Sequence, residues 1–309
     1  FAKRLCEATG YEKMFFGNSG AEANECAIKL ARKYSFDKYG KDAERNIIIT
    51  LVNSFHGRTL CTLSATGQEV FHNYFFPFVG GFENVIANDI DDLMDKLNKL
   101  DNKVCAVMFE FVQGEGGVVA LNHDFVRKTE EFCRENDILL IVDEVQTGNG
   151  RTGSLYAYMQ YGIKPDIVTT AKGLAGGLPL GVTMMWDKCE NTLSAGTHGS
   201  TFGGNPVVCA GACAVLDGLT DSLMKSVKEK AAEINNAFNK MEKVKSVSGM
   251  GLMIGIETQG ISAADAVKEF REKGLIVLTA KNKIRLLPAL NISRENIETG
   301  LKIMSEVLK

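Results

Sequence analysis

No stretch of the 309-residue sequence stays apolar for the roughly eighteen residues that a membrane-spanning helix requires. The longest such run, residues 207–216, is interrupted by Gly211. No spanning helix and no membrane partner are expected. Charge of one sign is also scarce: Lys+Arg 35 against Asp+Glu 38 leaves a net charge of -3, with no dense basic block. Counterion release onto nucleic acid therefore has little to act through, and a nucleic-acid partner is not expected. Histidines are few. His56, His72, His123 and His198 lack the i, i+4 or cysteine-pair spacing of metal ligands, and Cys209 and Cys213 fall in an apolar helical run, so no metal is expected. The eight cysteines are spread along the chain, several of them (Cys26, Cys105, Cys209) inside apolar runs where they read as small core residues. A reduced, cytoplasmic compartment follows as the simpler expectation. The opening Phe1-Ala2-Lys3 carries neither an initiator methionine nor a signal-peptide pattern, and the chain is expected to be the remainder of a longer protein.

What is present is an ordinary globular composition, hydrophobic 45% and charged 24%, in a chain long enough for about two domains and a large core. Apolar runs without strict alternation at residues 47–52, 104–109 and 138–142 suit strands buried on both faces, as in a parallel sheet. Between them, Ala23, Cys26, Ala27, Leu30, Ala31 and Tyr34 recur near a period of 3.6, and residues 125–136 are amphipathic. Strand alternating with helix predicts an α/β layer fold. Further strands are expected at 167–170 and 180–186. From about Thr220 the texture changes to a long charged helix at 221–243, strands at 252–257, 275–278 and 283–287, and a closing helix at 294–308. The expected division is a larger domain over residues 1–219 and a smaller C-terminal α+β domain over 220–309.

Several short segments carry possible chemistry. Ser19 followed by Glu22 has capping-box spacing, which leaves the N–H groups of Gly20 and Ala21 free at a helix start able to accept an anion. A plain helix cap is the bland alternative. Asp143 ends an apolar strand at the sheet edge where α/β folds bind ligands, and its carboxylate can face a cation such as a protonated pyridine nitrogen. A solvated strand-end acid is the alternative there. Lys172 stands directly after a β-rich run and before a glycine-rich turn, a place suited to a Schiff-base lysine with lowered pKa, although most lysines are surface charges.

In the segment 54–59, Phe55 can stack on a planar ring and Arg58 can hold a carboxylate, while His56 reads as a structural hydrogen-bonding residue in preference to a proton carrier. Ser200 and Thr201 offer hydroxyls beside another small-residue helix start, either a phosphate contact or a capped loop. Residues 148–153 match a dinucleotide fingerprint by letter only, because no clear amphipathic helix follows, and they read as a loop.

With these residues assembled, the chain resembles the class III pyridoxal-phosphate aminotransferases. The strings are FFGNSGAEANE (15–25), SFHGRT (54–59), QGEGG (113–117), DEVQTGNGRTG (143–153), AKG (171–173) and HGSTFGGNP (198–206), and the likeness covers essentially the whole sequence. The resemblance implies the fold type I architecture of pyridoxal-phosphate enzymes: a large domain with a mostly parallel central sheet flanked by helices, and a smaller C-terminal domain. Members of the family carry a further N-terminal segment.

The resemblance also implies roles. Lys172 would hold pyridoxal 5'-phosphate as a Schiff base and then carry the proton, with Asp143 on the pyridine nitrogen. Phe55 would stack on the ring, Gln146 would bond its phenolic oxygen, and Gly20 and Ala21 would bind the phosphate. Thr201 would reach the phosphate in a neighbouring subunit, so a homodimer is implied. Arg58 and Ser200 would contact the amine substrate. Arg285 would take the α-carboxylate of 2-oxoglutarate or glutamate, and Glu115 would neutralise that arginine when the other substrate is bound. The implied reaction moves the δ-amino group of N-acetylornithine to 2-oxoglutarate in arginine biosynthesis. Ornithine, 4-aminobutyrate, succinylornithine and succinyldiaminopimelate are alternative amines. A catalytically silent fragment is the reading of a different class.

Overall fold

The computed structural model describes all 309 residues. In chain order the strands are β1 (Lys13–Gly17), β2 (Ile47–Leu51), β3 (Phe82–Val85), β4 (Val104–Phe109), β5 (Val112–Gln113), β6 (Val119–Ala120), β7 (Leu139–Asp143), β8 (Ile167–Thr170), β9 (Gly181–Met185), β10 (Val244–Met250), β11 (Met253–Thr258), β12 (Leu278–Ala280) and β13 (Lys283–Leu286). The helices are α1 (Ala2–Thr9), α2 (Gly20–Tyr39), α3 (Leu60–Ala65), α4 (Ile90–Leu100), α5 (His123–Glu135), α6 (Tyr158–Tyr161), α7 (Pro206–Gly218), α8 (Asp221–Phe238), α9 (Ala263–Glu272) and α10 (Arg294–Leu308). No single helix is long and apolar enough to cross a membrane.

Seven strands form the central sheet in the order β1-β9-β8-β7-β4-β2-β3. The pairs from β8 through β3 are parallel, whereas β9 lies antiparallel to both β8 and β1, so β9 alone opposes the common direction. Strands β4 and β7 are buried at every position, which is why their sequences are continuous apolar runs without alternation. The periodic face of α2 expected from the sequence is its buried face, packed on the sheet, and it includes a polar member, Asn24. Leu30 on that face is fully buried and contributes about 2 kcal/mol of apolar transfer energy.

A second, antiparallel sheet has the order β10-β11-β13-β12. It packs with α8, α9 and α10 around Phe238, Ile254, Ile256, Phe270 and Ile284. Two expectations are corrected here. The third C-terminal strand is not residues 275–278 but Leu278–Ala280, because Leu275 donates its N–H to Phe270 O (2.9 Å), closing α9, and Ile276 points to solvent. The long charged helix stops at Phe238, not 243, where Lys240 N and Met241 N turn back to Ala237 O and Phe238 O.

Carboxyl ends of β1, β2, β4, β7 and β8 lie along one edge of the central sheet. The start of α2, the 52–59 loop, Glu110 and Lys172 follow those ends directly, Asp143 is the last residue of β7, and open α/β sheets bind ligands at this edge.

Candidate active site

Asp143 is the last residue of β7 and is 3% exposed. Its Oδ2 accepts the Nδ2–H of Asn24 at 2.8 Å and lies 2.9 Å from His56 Nδ1, while Oδ1 accepts Val145 N–H at 3.0 Å. Asn24 is itself fixed from both sides: it donates to His56 O (2.7 Å) and its Oδ1 accepts from Thr169 Oγ1 (2.6 Å). His56 Nε2 is buried without a partner, so the tautomer with the proton on Nδ1 leaves no ring N–H orphaned. The carboxylate thus has three donors and no bonded cation, although its two oxygens offer about four lone-pair sites. Each donor comes from a different element, α2, the loop after β2 and the turn after β7, and together they hold the group against the sheet.

Lys172 follows β8 with φ 50, a left-handed conformation that costs a residue with a side chain roughly 1 kcal/mol. Asn149 holds the backbone before it, donating to Thr170 Oγ1 (3.1 Å) and Ala171 O (3.0 Å). The 148–153 segment is a turn-rich loop that buttresses this strand end, with no helix opening from it. Lys172 meets solvent, yet the protein around it displaces enough water to lower its pKa below the ordinary lysine value; the charges of Asp143, Glu110 and Glu115 act in the opposite direction. Lys172, Asp143, Glu115 and Arg285 therefore share one electrostatic neighbourhood.

Arg285 on β13 is 7% exposed and donates through its NH1 nitrogen to Glu115 Oε1 at 2.7 Å. Its Nε is buried and unpartnered, so a single contact secures the guanidinium. Glu115 sits at the tip of the β5–β6 hairpin, and Gln146 Nε2 approaches the same Oε1 at 3.5 Å.

At the start of α2, Ser19 Oγ accepts Glu22 N–H at 3.2 Å, as the capping spacing predicts. The reciprocal half differs. The Glu22 carboxylate accepts from the backbone N–H and side-chain Nδ2 of Asn18 instead of from Ser19, which leaves Gly20 and Ala21 at the open helix end. A methyl group on Gly20 would stand 2.8 Å from Val145 Cγ1, so the second residue after Asp143 closes over this helix start. Phe55 is half-buried beside Phe71, its backbone N–H held by Glu110, and Arg58 is exposed with its guanidinium 4.5 Å from the Phe71 ring centre and 5.6 Å from that of Phe55.

Ser200 and Thr201 are exposed and line a different cleft with Asn18, Glu22 and His198. Ser200 Oγ accepts from Asn18 Nδ2 (3.2 Å) and Gly203 N (3.1 Å); Thr201 makes no side-chain hydrogen bond. Within one chain these two residues are not joined to the Asp143 network. Cys26 and Cys105 are core residues as expected, whereas Cys209 is only half-buried, because it lies on the more open part of α7.

Three buried polar residues here escaped the sequence reading. Asn24 and Glu110 are described by the same signals that picked out others: a polar residue on an apolar helix face one turn after Gly20, and an acid directly after an apolar strand. Glu110 is 3% exposed, and burial, reinforced by the Asp143 charge, pushes its pKa well above the usual carboxylate range. Glu144 is fully buried; it accepts from Thr147 Oγ1 and from Tyr158 N (2.8 Å), and burial raises its pKa to about 7.

A buried carboxylate with a free lone pair at a sheet edge, a lysine within reach of its charge and a helix start whose first N–H groups stay open fit a cofactor that has a basic ring nitrogen, a carbonyl and a phosphate. Pyridoxal 5'-phosphate has all three. The family model of class III aminotransferases matches residues 1–308. An acetylornithine aminotransferase of Haemophilus ducreyi is 52% identical over 308 residues, covering 99% of this chain and 77% of that protein. Among solved structures, an ornithine aminotransferase of Toxoplasma gondii with partial occupancy of PLP at its active site superposes with a TM-score of 0.93 at 32% identity, over 99% of this chain and 75% of that one. An N-acetylornithine aminotransferase of Stenotrophomonas maltophilia gives 0.85 at 33% identity, over 99% and 77%. By sequence and by fold alike, this chain belongs to the class III aminotransferases, enzymes that use pyridoxal 5'-phosphate.

Proposed function

We propose that the chain moves the δ-amino group of N-acetylornithine to 2-oxoglutarate, yielding glutamate and the corresponding semialdehyde, a step of arginine biosynthesis. The observation that carries this reading is the shared electrostatic neighbourhood of Lys172, Asp143 and the Glu115–Arg285 pair, in a chain similar to acetylornithine aminotransferases from several organisms at 40% to 52% identity.

When bound, pyridoxal phosphate supplies a carbonyl for amines to condense with and a ring that draws electrons from the substrate carbon. Lys172 Nζ would hold it and then take the proton from the amine-bearing carbon of the substrate and return it to the carbon that was the cofactor's carbonyl, aided by a lowered pKa. Asp143 would keep the proton on the ring nitrogen, using its remaining lone pair. The Gly20 and Ala21 N–H groups would bind the phosphate at the positive end of α2. Phe55 would cover the ring and Gln146 would bond its phenolic oxygen. Arg58 would contact the amine, Ser200 would reach it from the neighbouring subunit as Thr201 does, and Arg285 would take the α-carboxylate of the oxo acid. Glu115 would occupy Arg285 while an amine without that carboxylate is in place.

The same reading divides the chain into a cofactor-binding domain, 1–219, and a smaller domain, 220–309; the separate core around the second sheet supports that division. It also includes a cytoplasmic homodimer in which Thr201 serves the neighbouring subunit. An exposed, unbonded Thr201 and the exposed rings of Phe75, Phe76 and Phe202 support the dimer, and eight free cysteines support a reduced compartment. Side-by-side turnover of N-acetylornithine, ornithine, succinylornithine, succinyldiaminopimelate and 4-aminobutyrate tests the substrate. N-acetylornithine is expected to have the highest kcat/KM; a clear preference for 4-aminobutyrate overturns the assignment.

A further inference from the structure

Val118 is a β-branched residue held at φ 53, a conformation that such side chains avoid. It is fully buried, and its position shows what holds it there. A methyl group built on Gly255 would stand 2.6 Å from Val118 Cβ and 3.0 Å from its Cγ2, and one on Gly249 would stand 3.0 Å from its Cγ1. Val118 therefore fills a slot in the second sheet that two glycines leave open. Ser248 Oγ donates to Val118 O at 2.8 Å and is itself held by Lys283 Nζ at 2.8 Å, while Val112, Met253 and Ala280 close the apolar surround.

Two relationships connect this slot to the cleft. Gly255 is the direct cross-strand partner of Arg285, so Val118 sits beside the arginine on the sheet. Glu115 lies three residues before Val118 in the same hairpin, and Val118 N–H donates to Gln113 O at 3.0 Å across it. The segment between them is Gly116-Gly117, which has little stiffness of its own. Arg285 is fastened by its one bond to Glu115, and the location of Glu115 depends on where the hairpin docks.

We infer that Val118 is a positioning residue: by seating in the Gly249–Gly255 slot it fixes the hairpin of Glu115 to the strand of Arg285, and so sets the balance between substrates that need the pair closed and those that need it open. This rests on the proposed role of the pair as a charge switch. The ω-amine half-reaction needs Glu115 on Arg285; the 2-oxo acid half-reaction needs the arginine free. A loosened hairpin weakens the first and spares the second.

The test follows the two half-reactions separately, by single-turnover absorbance of the holoenzyme, together with calorimetric binding of glutarate, a dicarboxylate that competes for Arg285. Val118→Gly is expected to raise KM for the ω-amine about tenfold with little change in kcat, to leave the 2-oxoglutarate half-reaction within about threefold, and to tighten glutarate binding about fivefold. Gly255→Ala, which forces Val118 out of its slot, is expected to give the same split, and Val118→Gly/Gly255→Ala to reverse most of it. Val118→Ala, which keeps the Cβ in the slot, is expected to lie between wild type and Val118→Gly and gives the same readout should the glycine variant not fold. Equal losses in both half-reactions, or unchanged glutarate binding, overturn the inference. Glu115→Gln separates the two layers: a split there without one at Val118 rejects the positioning role alone, and no split at Glu115 rejects the charge-switch reading and this inference with it.

Discussion

His56 Nδ1 lies 2.9 Å from Asp143 Oδ2, and the same oxygen takes the Nδ2–H of Asn24 at 2.8 Å. Asn24 also caps the carbonyl of His56 and receives the Thr169 hydroxyl, so one amide ties α2, the loop after β2, and strands β7 and β8 to a single carboxylate. A site built this way is rigid before any ligand arrives, which is what a proton held on a ring nitrogen requires.

Asn24→Ala should remove that tie. The Thr169 hydroxyl and the His56 carbonyl each lose a buried partner, at about 1–3 kcal/mol for each group left unsatisfied, while Asp143 Oδ2 keeps His56. Thermal denaturation is expected to show a loss of about 2–4 kcal/mol, and cofactor titration a weaker affinity. An unchanged melting temperature together with unchanged affinity would contradict the role given to Asn24.

Arg58→Ala should separate substrate from cofactor. The guanidinium is exposed and rests on the Phe71 ring, outside the Asp143 network. KM for the amine is expected to rise about tenfold or more, as for loss of a charged hydrogen bond to a carboxylate, while the visible band of the lysine-bound cofactor persists. Disappearance of that band would assign Arg58 to the cofactor instead.

Glu144 should make stability depend on pH. Its folded pKa, raised by burial to about 7, exceeds the unfolded value, so its contribution is full below the unfolded pKa and is lost as pH rises through about 7. The span corresponds to about 3 kcal/mol. Relative to wild type, Glu144→Gln is expected to gain stability between pH 5 and pH 8 in denaturant titrations, at some fixed cost from the Thr147 contact. A difference between the two proteins that is constant with pH would contradict the buried, raised carboxyl.

How far the sequence alone reached follows from which forces are local. Asp143 and Lys172 could be read because strand ends in an α/β sheet are marked by a buried apolar run followed by a polar residue. Glu110 carries the same mark after β4. Asn24 was hidden because a single polar residue on an apolar helix face looks like noise until its three partners, from three distant segments, are in place. The reversed direction of β9 has no local signature, since both faces of that strand are buried whichever way it runs. Register in the second sheet, which sets Gly255 opposite Arg285 and leaves a slot for Val118, is likewise set by pairing and not by period. The Glu115–Arg285 contact was accessible only through family resemblance, because its partners lie 170 positions apart.

The central claim is that the amine of Lys172 holds the cofactor opposite Asp143. Reconstitution of wild type and Lys172→Ala with pyridoxal phosphate, followed by visible absorbance and by melting temperature of the unloaded proteins, tests it most directly. Wild type is expected to develop the band of a lysine-bound cofactor, and Lys172→Ala to lack both band and turnover while melting within about 2 °C of wild type, since an exposed strand-end side chain carries little of the fold. A Lys172→Ala protein that still develops the band would contradict the assignment.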